Sequence, residues 1–318
     1  MLVVTGAAGF IASQLAAALH GESLVLVDDF SAEKKAKNHT ALEGLRIPRE
    51  QFADWLVEHA DEVELVFHLG ARTDTTEFNF RVLDGLNTAY SKTLWEICSV
   101  KNIPLIYASS AATYGLGEQG FDDDPSRMAS LKPLNPYGLS KQLFDMHVMQ
   151  SSVSPSFWAG LKFFNVYGSH EQHKGRMASV VFHAYHQIKN TGALRLFQSH
   201  HPDFNDGDQL RDFIYVDDVV AVCCFLLQQF REGKTIRGIY NLGTGKARSF
   251  NDLAKAVFDS MQKPVNIQYI PTPEDIRDKY QYYTEAKMDR LRAMGYHQLF
   301  TSLETGISLY INYLQQHG

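Results

Sequence analysis

Residues 2–12 read Leu2-Val3-Val4-Thr5-Gly6-Ala7-Ala8-Gly9-Phe10-Ile11-Ala12, and this run restricts the fold more tightly than any other. An apolar β-branched run predicts a buried strand, and the apolar pattern after Gly9 predicts a helix. A glycine turn between the two is the phosphate-binding arrangement of a dinucleotide fold. Gly6 permits the tight turn, and Gly9 lets the backbone approach a pyrophosphate. The helix then offers its N-terminal amides and positive dipole end to the phosphates. The third glycine of the usual pattern is Ala12 here, at a position that governs helix–sheet packing rather than phosphate contact. The bland alternative is a glycine turn of purely structural use.

The rest of the first half keeps this alternation. Residues 2–5, 23–28, 65–69, 103–109 and 161–166 read as buried strands, separated by longer amphipathic stretches. Between two of them Val82, Leu83, Leu86, Tyr90, Leu94 and Ile97 recur at helical spacing. Short strands alternating with helices imply an α/β fold of Rossmann type, a doubly wound parallel sheet covered on both faces. After Gly168 the character changes to a polar, His-rich loop, a helical stretch and a Pro- and Asp-bearing insertion at 201–209. A smaller α/β substrate-binding lobe is expected there. The expected division is 1–166 with 212–242 for the dinucleotide domain and 167–211 with 243–318 for the substrate domain.

Composition narrows the partners. The 318 residues are 45% hydrophobic, enough for a large core, and a net charge of -6 without a basic run argues against nucleic acid. No apolar stretch is long enough to cross a bilayer, and no export signal precedes Leu2, so the cytoplasm is expected. Cys98, Cys223 and Cys224 lack metal-ligand spacing and read as free thiols.

Asp28 ends the second expected strand, 22 residues after Gly6. A carboxylate there accepts hydrogen bonds from an adenosine ribose, which favours NAD. Asp29 follows it. Lys34, Lys35 and Arg49 lie downstream, where basic groups suit the 2′-phosphate of NADP, so the residues leave NAD and NADP open. Tyr137-Gly138-Leu139-Ser140-Lys141 places a phenol and an ammonium at i and i+4 of one helix face, with Ser109-Ser110 at the end of an upstream strand. The lysine charge, helped by a nicotinamide cation, is expected to pull the phenol below its ordinary value of about 10 and make Tyr137 a base. Ser110 would hold the same substrate hydroxyl. A Tyr-x-x-x-Lys match alone is cheap, and its plain alternative is a pair on a surface helix.

Further segments carry a resemblance over nearly the whole chain: Tyr107-Ala108-Ser109-Ser110-Ala111-Ala112-Thr113-Tyr114-Gly115, Phe164-Asn165-Val166-Tyr167-Gly168, His173-Lys174-Gly175-Arg176-Met177-Ala178-Ser179-Val180, Arg211-Asp212-Phe213-Ile214-Tyr215-Val216, and Tyr240-Asn241-Leu242-Gly243-Thr244-Gly245. With these, the chain resembles the extended short-chain dehydrogenase/reductases of the NAD-dependent epimerase/dehydratase family, and within them the epimerases of ADP-linked heptose. The resemblance implies epimerisation at C6 of the heptose in ADP-D-glycero-D-manno-heptose through a 6-keto intermediate, with tightly held NADP, for the lipopolysaccharide inner core. It also implies a ring-shaped homo-oligomer, commonly a pentamer. By likeness Phe10, Ile11, Asp28, Asp29, Lys35, Arg49, Leu69, Gly70, Ala71, Arg72, Thr73, Asn87 and Val166 would line the cofactor. Asn165, Arg176, His183, Phe197, Gln198, Ser199, His200, Arg211 and Tyr280 would meet the ADP-sugar.

The implied chemistry makes its own demand. A carbinol hydrogen is not acidic, so inversion is easier through oxidation, and return of hydrogen to the opposite face calls for a second proton-transfer group. Lys174, which resembles the family's second base, is the candidate; Arg176 and partial desolvation are expected to lower its pKa. Arg211 suits the pyrophosphate and Arg277 would assist it. His200 and His201 near Asp203, Asp206 and Asp208 fit no regular ligand spacing, so no metal is expected. The rival readings are a UDP-hexose 4-epimerase, a 4,6-dehydratase, or a non-catalytic dinucleotide sensor. Tyr114-Gly115 after Thr113 counts against the dehydratase, and retention of Tyr137 and Lys141 counts against the sensor.

Overall fold

Successive side chains of a strand point to opposite faces, so a strand buried on both sides needs apolar residues at every position. The first strand meets that demand: Leu2 and Val4 enter one core with Leu15, Leu26 and Val219, while Val3 enters another with Val25, Leu94 and Trp95. A computed structural model describes residues 1–277 and 280–317. Its strands are β1 (Leu2–Thr5), β2 (Leu24–Asp28), β3 (Leu45–Pro48), β4 (Leu65–His68), β5 (Leu105–Ser110), β6 (Trp158–Phe163), β7 (Asn165–Tyr167), β8 (Leu194–Phe197), β9 (Leu210–Tyr215), β10 (Arg237–Leu242), β11 (Ala247–Ser249) and β12 (Ile267–Ile270). Seven of them form one sheet in the order β10-β6-β5-β4-β1-β2-β3, and every pairing in it is parallel. This is a doubly wound α/β sheet, with the order reversing at β1.

The expected strands hold, with shifts that have physical reasons. The run 161–166 divides: β6 starts at Trp158 and stops at Phe163, and Asn165–Tyr167 leaves the main sheet to pair with β9. β9 also pairs antiparallel with β11, and β8 pairs with β12, so two small sheets lie beyond the large one. β7 and β9 thus carry the chain across the positions expected as domain boundaries. A third core fills this region, built from Tyr167, Tyr185, Phe213, Leu253, Ile307 and Tyr310. The helical stretch after β4 is continuous from Phe80 to Lys101, with a π-helical turn at Asp84–Ala89. That turn directs buried Asn87 and Thr88 toward the helix Pro136–Gln150. The insertion 201–209 is a series of turns. Cys98, Cys223 and Cys224 are free thiols, and among the described residues no helix is long and apolar enough to cross a membrane.

Candidate active site

The turn after β1 and the turn after β4 meet where the strand order reverses, which is where ligands sit in folds of this kind. Gly6 has φ +73°, and a Cβ there would stand 2.6 Å from the Cα of Gly70, so only glycine permits this approach. Gly70 N donates to Thr5 Oγ1 (3.1 Å), and Thr5 Oγ1 also meets His68 Nδ1 at 2.8 Å. Gly9 caps the helix Phe10–Ala18 without a side-chain hydrogen bond, leaving first-turn amides for an anion. Ala12 is buried against the sheet, as its packing position requires. The residues fit a dinucleotide pyrophosphate.

Asp28 is buried, and its carboxylate accepts from Ala8 N (2.9 Å), Asp29 N (2.7 Å) and Lys35 Nζ (3.0 Å). Asp29 is exposed and accepts from Ser31 N and Oγ; these bonds lower its pKa, with help from Arg49 and Lys35. Arg49 itself donates to Glu50. The two basic groups are therefore within electrostatic reach of Asp29, Lys35 being already paired with Asp28 and Arg49 with Glu50. In the segment Leu69, Gly70, Ala71, Arg72 and Thr73, the main chain of Arg72 is clasped by Asn87, whose Oδ1 accepts from Arg72 N (2.7 Å) while Nδ2 donates to Arg72 O (3.0 Å). Asn87 Nδ2 also reaches Ser140 Oγ at 3.0 Å. Asn87 thus ties the β4 turn to the helix of Tyr137.

That helix starts with Asn135 as N-cap, accepting from Gly138 N (2.8 Å), and Pro136 at its first position. Its inner face is fastened to β5 residue by residue. Lys141 Nζ donates to Ala108 O (2.9 Å), Ser109 Oγ donates to Asp145 Oδ2 (2.7 Å), and Tyr107 OH donates to Asp145 Oδ1 (3.1 Å). Behind them Lys162 of β6 pairs with Asp145 at 2.7 Å, both side chains fully buried, and donates to Thr113 Oγ1 (2.6 Å). Ser110 ends β5 with its Oγ accepting from Ala112 N.

The electrostatics correct one expectation. Burial pushes the Tyr137 phenol up and a hydrogen bond with Ser110 pulls it back. Lys141, whose ammonium donates to Ala108 O, is not among the groups that shift it, and the protein's own groups raise rather than lower the phenol. Burial lowers Lys141 to about 8, opposed by Asp145. Lys174 lies in the 3₁₀ segment Gln172–Met177 with its ammonium 5.3 Å from the centre of the Phe10 ring. Burial lowers its pKa and Glu171 opposes. Arg176 takes no part in this, since its guanidinium is turned away to Asp74 (3.5 Å) and Thr76 Oγ1. His183 Nε2 contacts Arg176 O at 3.2 Å.

On the far side Arg211 is buried and donates to Leu210 O (2.8 Å) and Gln281 O, with its guanidinium over the rings of Tyr280 and Phe250. Phe197 packs edge-on to Tyr280. The turns of Gln198, Ser199 and His200 are pinned by Thr272 Oγ1, Asp206 Oδ1 and Tyr282 OH respectively. Asn165 is exposed and Val166 half-buried on β7, and Arg277 donates to Thr272 O rather than joining Arg211.

With that geometry established, similarity to known proteins is informative. The model of the "NAD dependent epimerase/dehydratase family" matches residues 2–243. The chain belongs to this family. Among curated relatives, the ADP-L-glycero-D-manno-heptose-6-epimerase of Fusobacterium nucleatum is 46% identical, covering 99% of this chain and 98% of that protein. The enzyme of the same name from Nitratidesulfovibrio vulgaris is also 46% identical, over 98% and 97%. The crystal structure of the Helicobacter pylori ADP-L-glycero-D-manno-heptose-6-epimerase superposes with a TM-score of 0.81 at 26% identity, covering 99% of this chain and 96% of that one.

Two groups that sequence reasoning missed explain why the family's motifs have their form. Buried Asp212, next to Arg211, accepts from Thr244 N and Oγ1 (both 2.7 Å), Gly245 N (2.9 Å) and Ala286 N (3.0 Å). A Cβ at Gly243 would stand 2.6 Å from its carboxylate, so the Arg211-Asp212 and Gly243-Thr244-Gly245 segments are two halves of one contact. The Asp145–Lys162 pair is the other; only a lysine inside an otherwise apolar strand hinted at it.

Proposed function

We propose that this protein converts ADP-D-glycero-D-manno-heptose to ADP-L-glycero-D-manno-heptose by transient oxidation at C6, supplying heptose for the lipopolysaccharide inner core. The observation that carries this reading is the presence of two proton-transfer candidates on separate elements beside one dinucleotide fingerprint. Tyr137 lies where the Ser110 hydroxyl at the end of β5 draws its pKa down against burial, and Lys174 is seated against Phe10. A bound nicotinamide dinucleotide supplies the oxidation at C6 and its reversal. Tyr137 takes the hydroxyl proton of one epimer while Ser110 hydrogen-bonds that oxygen. Lys141, lowered to about 8 by burial and donating to Ala108 O, ties the helix of Tyr137 to β5 and so holds the phenol in place beside Ser110. After the ketone turns, Lys174 gives a proton to the carbonyl oxygen on the other side, and in the reverse direction it takes one. Its desolvation lowers the cost of releasing that proton near neutral pH. Arg211, held between Tyr280 and Phe250, offers a guanidinium fork to the substrate pyrophosphate, with Asn165, Arg176, His183 and the stretch from Phe197 to His200 around the ADP-sugar.

The cofactor in this reading is NADP. Lys35 and Arg49 compensate Asp28 and Asp29, so the ribose end accommodates a 2′-phosphate. The residues 1–166 with 212–242 would hold it and 167–211 with 243–318 the sugar. The enzyme works in the cytoplasm as a homo-oligomer of pentameric size.

Purified protein given ADP-D-glycero-D-manno-heptose and UDP-galactose in parallel tests the reading. Only the former is epimerised; substrate deuterated at C6 keeps its label, and turnover in heavy water adds none at carbon. Solvent deuterium at C6 would end the oxidation–reduction reading, and turnover of UDP-galactose alone would end the substrate assignment. Mass spectrometry of the denatured protein releases NADP; release of NAD alone overturns the cofactor choice.

A further inference from the structure

Lys174 sits on a loop, and its approach to the fingerprint is set by groups outside the proton-transfer set. The side chain of Asn38, in the short helix Ala36–His39 after the ribose-site turn, is buried where three chain segments meet. Its Nδ2 lies 3.2 Å from Ala8 O of the fingerprint turn, 3.0 Å from His170 O and 3.0 Å from His173 Nδ1. An amide nitrogen carries two hydrogens. Burial, with Lys35 and Lys174 nearby, pushes the His173 imidazole down to about 4, so the ring is neutral at neutral pH. If its Nδ1 holds the proton, it donates to His170 O at 3.0 Å, and Asn38 serves the two carbonyls; if Nδ1 is bare, it accepts from Asn38 directly. In both tautomers the amide joins the fingerprint turn to the loop just before Lys174.

The loop needs this fastening. His170 has φ +71°, a left-handed conformation that a non-glycine residue keeps only when its surroundings fix it. Ser13 Oγ, on the fingerprint helix, meets His170 Nδ1 at 3.0 Å, and Gln14 Nε2 donates to Ser169 Oγ at 2.5 Å. At the back of the loop, Glu171 accepts from Ser179 N and Oγ, both at 2.6 Å, and Lys174 N donates to Glu171 O at 2.9 Å. Glu171 gives the loop its internal shape; Asn38 registers that shape against Ala8, two residues before the Phe10 ring that Lys174 covers.

We infer that Asn38 is a positioning residue for Lys174, so that the second base is placed by the same turn and helix that frame the dinucleotide site. The inference rests on the two-base reading above. In that reading each epimer gives its hydroxyl proton to a different base, so misplacing one base slows oxidation of one epimer only.

The test mixes protein loaded with saturating dinucleotide with each ADP-heptose epimer separately and follows the first turnover by the absorbance of reduced nicotinamide. Lys174→Met is the reference: it slows reduction by one epimer and spares the other. Asn38→Leu, close in volume but without donors, is expected to slow reduction by that same epimer on the order of 10- to 100-fold while the other stays within about twofold. If Asn38→Leu does not yield folded protein, Asn38→Ser, shorter but polar, gives the same comparison. Equal slowing of both epimers, or slowing of neither, overturns the inference while the asymmetry of Lys174→Met leaves the two-base reading standing. Absence of asymmetry in Lys174→Met overturns that reading and the inference with it.

Discussion

The strand–helix pair carrying Ser110, Tyr137 and Lys141 is fastened through groups with no exposed surface, whereas the loop carrying Lys174 is shaped by Glu171 behind it and docked in front by amides and hydroxyls. In the first region Asp145 and Lys162 are each 0% exposed and 2.7 Å apart, and Ser109 and Tyr107 complete the shell of Asp145. In the second region Gly175 and Arg176 are exposed and Lys174 is half-buried. One base is built into the core of the sheet, where moving it disturbs the fold. The other lies on a surface that can shift with modest loss of packing. Breaking the first should therefore be read in stability and breaking the second in rate, while the proposed mechanism requires both residues for turnover.

The largest effect that both regions share comes from removing the bases. Tyr137→Phe and Lys174→Met should each lower epimerisation by roughly 10²- to 10⁴-fold, the usual contribution of a positioned acid or base. Unfolding midpoint and bound cofactor should stay close to those of the parent. A discontinuous assay resolving the two ADP-heptose epimers decides this, and near-parent turnover in either variant removes that residue from the mechanism.

The two regions separate in the next experiment. Lys162→Met leaves the Asp145 carboxylate buried without its cation, and a broken buried pair costs about 3–5 kcal/mol. Combining it with Asp145→Leu should recover part of that loss, because the unpaired carboxylate is then gone, although buried Lys141 loses the nearby anion. Asn38→Leu, on the loop side, removes hydrogen bonds at about 1 kcal/mol each. Urea unfolding compares the three; an Asn38 loss as large as the Lys162 loss would erase the proposed difference between the regions.

The sequence showed one region more fully than the other. The fingerprint, Asp28 and the Tyr137/Lys141 spacing are local signals, each written within a few residues, and the strands they ride on are apolar throughout. What was not legible is made between distant segments. Asn38 meets His170 across 132 residues, and Asp212 gathers amides from 244, 245 and 286; neither contact leaves a periodic mark. β3 was missed because Leu45–Pro48 is a mostly exposed edge strand ending in proline, without the apolar run that reveals central strands. The split of 161–166 was missed because apolar residues continue through Phe164 while the chain changes sheets. Lysine at 162 breaks the apolar run of β6, and its partner Asp145 lies on a helix face that reads as mixed.

A pH series probes the buried side further. His68, between Thr5 and Ser91, is pushed down to about 3 by burial and then by the Lys141 charge. In the unfolded chain an imidazole titrates near 6.5. Between those values the unfolded state holds the extra proton, so stability is complete above about pH 6.5 and declines as the pH falls toward 3. A single group of this kind adds a slope of at most about 1.4 kcal/mol per pH unit. His68→Gln should flatten the dependence of unfolding free energy between about pH 6.5 and 5. His173 acts in the same direction from about 4, but it is only half-buried and solvent screening reduces its share. An unchanged slope in His68→Gln would mean that its imidazole is not held neutral in the folded state.

The two helix caps test the comparison at its finest scale, and Asn135→Ala is the smallest of the expected effects. Asn135 caps the helix of Tyr137 by accepting from Gly138 N at 2.8 Å. Ser179 caps the helix Val180–Thr191, just after the Lys174 loop, by accepting from Phe182 N at 3.2 Å. Alanine at an N-cap costs about 1 kcal/mol. The caps differ in what else they do. The Ser179 hydroxyl also donates to Glu171, whose carboxylate is buried and whose pKa is raised by that burial against the pull of its serine bonds. Ser179→Ala removes one of those bonds and leaves the carboxylate less satisfied, a further cost of about 1–3 kcal/mol. The helix of Tyr137 has the buried Asp145 contacts to hold it when its cap is lost. Asn135→Ala should therefore lower stability by about 1 kcal/mol with little change in turnover, and Ser179→Ala should lower both stability and turnover more. Chemical denaturation with parallel rate measurements tests the order. If Asn135→Ala slows epimerisation more than Ser179→Ala does, the base built into the sheet is the more easily displaced of the two, and the contrast drawn between the regions is reversed.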